Sequence, residues 1–167
     1  MTIRDILTYP DERLRQVSGP VVQFDAALQA NIDDLEETRL AGPAAVGIAA
    51  PQIGWFQRVV IVDVSGRKKT RSHGHLVLIN PEITEWEGFV LGREGCLSVP
   101  DYTGNVVRAE RIQLHALDRE GKEQSFEMEG FEARAVQHEM DHLDGLLFLD
   151  RLVSRRQDLF QRKVYKE

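Results

Sequence analysis

Gln137-His138-Glu139-Met140-Asp141-His142 places two imidazoles and a carboxylate within little more than one helical turn. Residues four apart on a helix share a face, with Cβ atoms about 5–6 Å apart, so His138 and His142 can grip one cation. Glu139, beside the first ligand, is placed to take a proton from water held by such an ion. The H-E-x-x-H spacing is a known metalloprotease signature. Gly130 precedes the stretch and Gly145 follows it, which predicts a helix from about Phe131 to Asp144 with Gly145 as its C-terminal cap. Both histidines then lie inside the helix, where backbone position is best defined. The rest of the chain has to fold around that metal-binding face.

A catalytic zinc-type site uses three protein ligands and leaves the fourth position open, so a third ligand must come from elsewhere. The metzincin continuation, with a third His after Gly145, is excluded because Phe148 occupies that position. The only Glu after His142 is the terminal Glu167, a poor ligand where chain ends fray. Asp144, Asp150 and Asp158 remain formal candidates, although Asp144 is too close in sequence to turn back easily onto the same ion. Upstream, the single cysteine of the chain, Cys96, sits in Arg93-Glu94-Gly95-Cys96-Leu97-Ser98. A thiolate with two imidazoles is a known hydrolytic ligand set, and Cys96 is the best third ligand.

The remaining pattern predicts an α+β fold: antiparallel or mixed β-sheets packed around the central metal-binding helix, plus an N-terminal and a C-terminal helix. Leu28, Ile32 and Leu35 recur at helical spacing after Asp25, a good N-cap, and Gly42-Pro43 stops that helix. Arg58 to Val64 and Leu76 to Ile79 read as largely buried strands joined by a polar loop. Ile112, Leu114 and Ala116 alternate up to the turn signal Asp118-Arg119-Glu120-Gly121, and Phe126 and Met128 lie on the returning strand of a hairpin. The basic tail from Arg151 to Lys166, with Leu152, Leu159, Phe160 and Val164 interspersed, reads as a docked amphipathic helix. His73 and His75 fall in a polar loop and read as solvated. His115 and Ser98 read as structural, since no Gly-x-Ser-x-Gly elbow surrounds the serine.

Three separated segments resemble the signature motifs of the bacterial peptide deformylases: Val46-Gly47-Ile48-Ala49-Ala50-Pro51-Gln52, Glu94-Gly95-Cys96-Leu97-Ser98 and Gln137 to His142. Their order and spacing agree with that family, as do Pro10-Asp11-Glu12-Arg13-Leu14 and Leu146-Leu147-Phe148. Ala45 stands where the family usually has the first Gly of its first motif. The resemblance implies one catalytic domain over residues 1–167 that removes the formyl group from the N-terminal formyl-methionine of new polypeptides. It implies Cys96, His138 and His142 as ligands of one divalent ion, Fe²⁺ in the cell with Zn²⁺, Ni²⁺ or Co²⁺ as substitutes. It also implies Glu139 as general base and acid, with the Gln52 amide and the Leu97 backbone N–H as oxyanion donors. Gly47 would hydrogen-bond an extended peptide, and Val46, Phe131 and Ala135 would wall the methionine pocket. An endopeptidase with the same metal chemistry and a non-catalytic deformylase-like metal protein are the competing classes.

Bulk properties agree with an enzyme domain. A chain of 167 residues is long enough for one sizeable core. A formal net charge of −6 argues against a general nucleic-acid surface. One cysteine forms no internal disulfide, which fits a reducing compartment. The start lacks the apolar core of a signal peptide and no run is long enough to span a bilayer, so a cytoplasmic location with no membrane partner is expected. The expected partners are nascent formyl-methionyl polypeptides, with ribosome contact through the basic C-terminal segment as the sharper reading of that tail.

Overall fold

The computed structural model describes residues 2–42, 45–67 and 69–162. Helix α1 (Ala26–Ala41) is followed by strands β1 (Gly47–Ala49), β2 (Val59–Val62), β3 (Leu76–Cys96), β4 (Val99–Leu117) and β5 (Glu123–Glu129). Helix α2 (Gly130–Leu143), the short helix α3 (Arg155–Asp158) and strand β6 (Leu159–Gln161) complete the chain. The strands run in the order β1-β2-β3-β4-β5 with antiparallel pairing throughout, and β6 joins the free edge of β4. A single parallel bridge between Gly19 and Gln57 lies outside them. No helix of the described residues is long and apolar enough to cross a membrane.

Local chemistry sets the element ends. Asp25 caps α1 by accepting the Leu28 backbone N–H at 2.9 Å, and Leu28, Ile32 and Leu35 bury one face of that helix against β1 and β2. Helix α1 ends at Ala41 with Gly42 as its cap, and the expected role of Pro43 lies outside the described residues. Helix α2 ends in a Schellman motif: Leu146 N–H donates to the Asp141 carbonyl at 2.9 Å and Gly145 N–H to that of His142 at 3.1 Å. Gly145 adopts φ of 74°, and a Cβ there would fall 2.3 Å from the Arg15 carbonyl oxygen, so only glycine fits this cap.

Helix α2 crosses the sheet and packs on β1, β2, β4 and β5. Val136 and Leu143 of α2 join Val60, Val62, Leu114 and Met128 in one buried cluster. Gln137 fixes the register of helix against sheet as a strand would: its Oε1 accepts the Ala109 N–H at 3.0 Å and its Nε2 donates to the Ala109 carbonyl at 2.9 Å.

Two features differ from the sequence expectation. Strands β3 and β4 form one long ribbon, where only their core-facing ends were expected as strands. The ribbon slips register between Gly95 and Cys96, the kind of bulge that re-aims a side chain beside a site. The tail gives α3 four residues, capped by Ser154, and then turns into β6 opposite Tyr102–Gly104. The unpaired β4 edge satisfies those backbone groups, which a longer helix would have left open. Val164 and Lys166 lie outside the described residues.

Candidate active site

Helix α2 presents His138 and His142 on the face that meets the end of β3. The ligand atoms of Cys96, His138 and His142 lie within 4.8 Å of one another, all three side chains are buried, and Cys96 Sγ is 3.3 Å from His142 Nε2. His138 turns its Nδ1 to the Glu94 carboxylate at 2.8 Å, which leaves Nε2 for an ion. A carboxylate behind a ligating imidazole fixes tautomer and ring angle, the usual support of a metal-bound histidine. Phe148, the residue that excluded a metzincin site, stacks on the His138 ring with centroids 6.3 Å apart.

The electrostatics suit a cation. Burial raises the Cys96 thiol, but His142 and the hydrogen bonds from His138 and His142 outweigh it and hold the group well below its ordinary range. Burial lowers His138, and the facing Glu139, Cys96 and Glu94 outweigh that and raise it well above its ordinary value. A thiolate beside imidazoles charged by their own anionic neighbours is a set from which an incoming cation displaces protons. The residues present fit a divalent ion with one sulfur and two nitrogen ligands.

Glu139 lies beside this cluster and is 5% exposed. Burial pushes its carboxyl up to about 7, partly offset by His138 and His142. Its Oε1 is buried without a hydrogen-bond partner among the described residues. A carboxylate near neutrality with an open oxygen is poised to accept and return a proton. Gly47 makes room for it, since a Cβ on Gly47 would fall 2.7 Å from Glu139 Oε2.

Gln52 is oriented by its own turn: Oε1 accepts the Ala49 N–H at 2.9 Å, and Nε2 donates to Ser98 Oγ at 3.0 Å and lies 3.6 Å from Cys96 Sγ. Gln52, Cys96, Leu97, His138 and Glu139 line one cavity of about 540 Å³ together with Ala45, Val46, Gly47, Phe131 and Ala135. His142 lies beneath the cavity floor and is 1% exposed. The three other histidines lie apart from the site: His73 faces Glu132 at 2.5 Å, His75 pairs with Glu36, and His115 faces Ser125 at 2.8 Å.

Glu94 and Asp141 lie within the motifs with no role legible in the sequence, and Arg108 lies outside them. Arg108 donates to Glu94 at 2.9 Å and to Asp141 at 2.6 Å, and Arg151 closes on Asp141 at 2.8 Å. Arg134 donates to the second Glu94 oxygen at 2.7 Å. Burial raises Glu94, but Arg108 and His138 outweigh it and hold the carboxyl well below the carboxylate range. This network ties β3 and β4 to α2, so it sets both the His138 ring and the position of the helix. The only signal available was that Glu94 and Asp141 lie inside the motifs that carry the ligand candidates. Glu94→Gln is expected to weaken metal binding by about 10–100-fold, the usual effect of losing such a support. It should also cost about 3 kcal/mol of stability by unpairing Arg108 and Arg134 on one side. Metal titration and chemical unfolding check the two effects separately.

Comparison with known proteins places the chain in a family. A family profile described as polypeptide deformylase matches residues 3–158. The chain is 48% identical over 166 residues to a peptide deformylase of Alkalilimnicola ehrlichii, covering 99% of this chain and 91% of that protein. The crystal structure of a peptide deformylase from Legionella pneumophila superposes with a TM-score of 0.84 at 46% identity, covering 90% of this chain and 86% of that one. A class I type b peptide deformylase from Acinetobacter baumannii, in a crystal structure bound to Met-Ala-Ser, gives a TM-score of 0.83 at 35% identity, covering 90% of this chain and 100% of that one. By sequence and by fold, this chain belongs to the peptide deformylases, metal-dependent hydrolases that remove the N-terminal formyl group from nascent polypeptides.

Proposed function

We propose that the chain hydrolyses the formyl amide of N-formyl-methionyl polypeptides, with Cys96, His138 and His142 holding one divalent ion and Glu139 moving the proton. The observation that carries this reading is the buried carboxylate oxygen of Glu139, without a partner among the described residues, beside the cysteine-histidine cluster and the cavity. When bound, a divalent ion supplies Lewis acidity and hydroxide near neutral pH. Glu139 accepts the water proton and delivers it to the departing amine. The Gln52 Nε2, fixed from behind by the Ala49 N–H, and the Leu97 backbone N–H are the donors for the oxygen of the attacked carbonyl. Such a donor typically contributes roughly 2.7–4 kcal/mol.

The substrate enters as an extended strand. β1 ends the sheet, so one side of Gly47–Ala49 is unpaired by β2 and available to a peptide backbone. Val46, Phe131 and Ala135 form the walls for the methionine side chain. The Acinetobacter relative was crystallised bound to Met-Ala-Ser, a tripeptide with the form of a deformylated product, which supports a methionyl peptide as the ligand class. Formate release from a formyl-Met peptide, measured beside cleavage of an internal peptide bond, tests the reading. Release of formate without internal cleavage is expected; internal cleavage without formate would make the protein an endopeptidase.

Two further results are expected. Gly47→Ala should keep the fold, because the Glu139 side chain can swing away from the added methyl. Catalysis should suffer, since a displacement near 1 Å at a reacting group can cost about 10²-fold. A normal turnover number would separate Gly47 from the position of Glu139. We also read the cellular ion as Fe²⁺, with Zn²⁺, Ni²⁺ and Co²⁺ as substitutes. Peroxide should then inactivate the iron form quickly, since oxidation strikes both Fe²⁺ and the Cys96 thiolate. The nickel form should survive longer, and equal rates of loss would argue against iron as the vulnerable centre.

A further inference from the structure

The cavity carries more positive charge than the chemistry above employs. In a chain of formal net charge −6, its lining includes Arg67, Arg93, Arg134 and Arg162 against the carboxylates of Glu94 and Glu139. Glu94 is already neutralised by Arg108 and Arg134, and Arg134 is further committed to the carbonyls of Val90 and Val106. The other three arginines are held differently. Arg67 lies over the Phe131 ring at 3.8 Å. Arg93 lies over Phe160 at 3.7 Å and donates to the neutral oxygens of Asn105 and Thr103. Arg162 is anchored by its backbone N–H to the Asp101 carbonyl at 2.8 Å, and its Nη2 lies where a Cβ on Gly95 would fall 2.6 Å away.

Stacking on an aromatic face holds a guanidinium plane in place and leaves its edge N–H groups for a carboxylate. Strand β6 therefore does more than extend the sheet: it supplies Phe160 as a platform for Arg93 and carries the chain on to Arg162. A peptide laid along β1 rises about 3.3 Å per residue, so the residues after methionine leave the cavity past its mouth. We propose that Arg93 and Arg162, together with Arg67, recognise carboxylate side chains at the second and third residues of the formylated chain, making acidic N-termini the preferred substrates. Phosphate would also be attracted, but a cavity lined by Leu97, Phe131 and Ala135 suits a side chain delivered on a peptide better than a nucleic-acid backbone. This inference rests on the deformylation reading.

The test uses the metal-loaded enzyme and C-terminally amidated tripeptides, formyl-Met-Xaa-Ala and formyl-Met-Ala-Xaa, with Xaa as Glu, Gln or Lys. Formate release should show kcat/KM for Glu about fivefold above Gln, the size expected of a few partly exposed ion pairs, and Lys below both. The difference should reside mainly in KM, because the rim contact is equal in ground and transition states, and it should shrink as salt is raised. Each variant's own Glu-to-Gln ratio is the readout, so a general loss of rate does not obscure it. That ratio should fall most of the way to one in the Arg93→Gln/Arg162→Gln double variant, where Arg67 alone remains, and fall comparably in Arg162→Glu, which removes the same two units of positive charge. Equal kcat/KM for Glu, Gln and Lys in the wild type, or an intact preference in the double variant, would overturn the proposal. A preference seen only with a free C-terminal carboxylate would overturn it too, and no formate from any peptide would overturn the reading beneath it.

Discussion

Glu139→Gln is expected to keep the fold and bind its ion while losing at least about 10²–10⁴-fold in formate release, the contribution typical of a positioned acid-base group. The replacement has nearly the same volume, so it fits the space beside Gly47, where no Cβ intrudes. It leaves Cys96, His138 and His142 unchanged, and the i+1 neighbour of His138 points too far round the helix to share the ion. An amide can neither take the water proton nor return it to the amine. The loss should appear in kcat, because the proton is in flight only in the transition state. Metal content and rate are measured together. Unchanged formate release would remove Glu139 from the chemistry, and joint loss of metal and rate would make it a support of the metal instead.

Cys96→Ala is expected to lower bound metal to a small fraction of one ion per chain and to take activity with it. The two imidazoles of α2 remain, but a pair alone lacks the anionic ligand that His142 and His138 hold as a thiolate. The fold should survive, since Cys96 ends β3 and its removal leaves only a small gap beside Val99, Val106 and Phe148. Metal analysis and thermal unfolding on the same sample separate these effects. Full occupancy in Cys96→Ala would show that another residue completes the site.

The parts of this architecture legible in the sequence are those whose physics is local. The His138–His142 pair, the Asp25 cap, the Gly145 stop and the turn after Asp118 each depend on residues a few positions apart. Cys96 reads as the best third ligand from its type and its motif, with Asp144, Asp150 and Asp158 left as formal candidates, and the fold brings its sulfur to the two imidazoles. The long ribbon was not legible: much of Glu82 to Gly92 is exposed, so no alternation marks it as strand, and its partner across the ladder decides. The Glu94–Arg108–Asp141 network joins residues 14 and 33 positions apart, a distance over which ion pairs leave no pattern. Strand β6 followed the same rule: Leu159 and Phe160 fit a helical stripe, and only the open edge of β4 selects the extended form. The cavity brings together residues of all three motifs with Phe131 and Ala135, while of its arginines only Arg93 adjoins a motif.

A titration of metal into stripped protein, with formate release from a formyl-Met peptide followed against bound ion, tests the metal centre most directly. No release is expected from the stripped wild type, then a linear rise and saturation at one ion per chain, with no such rise in Cys96→Ala. Release from metal-free protein, or a rise of the same size in Cys96→Ala, would contradict a deformylation centre built on Cys96, His138 and His142.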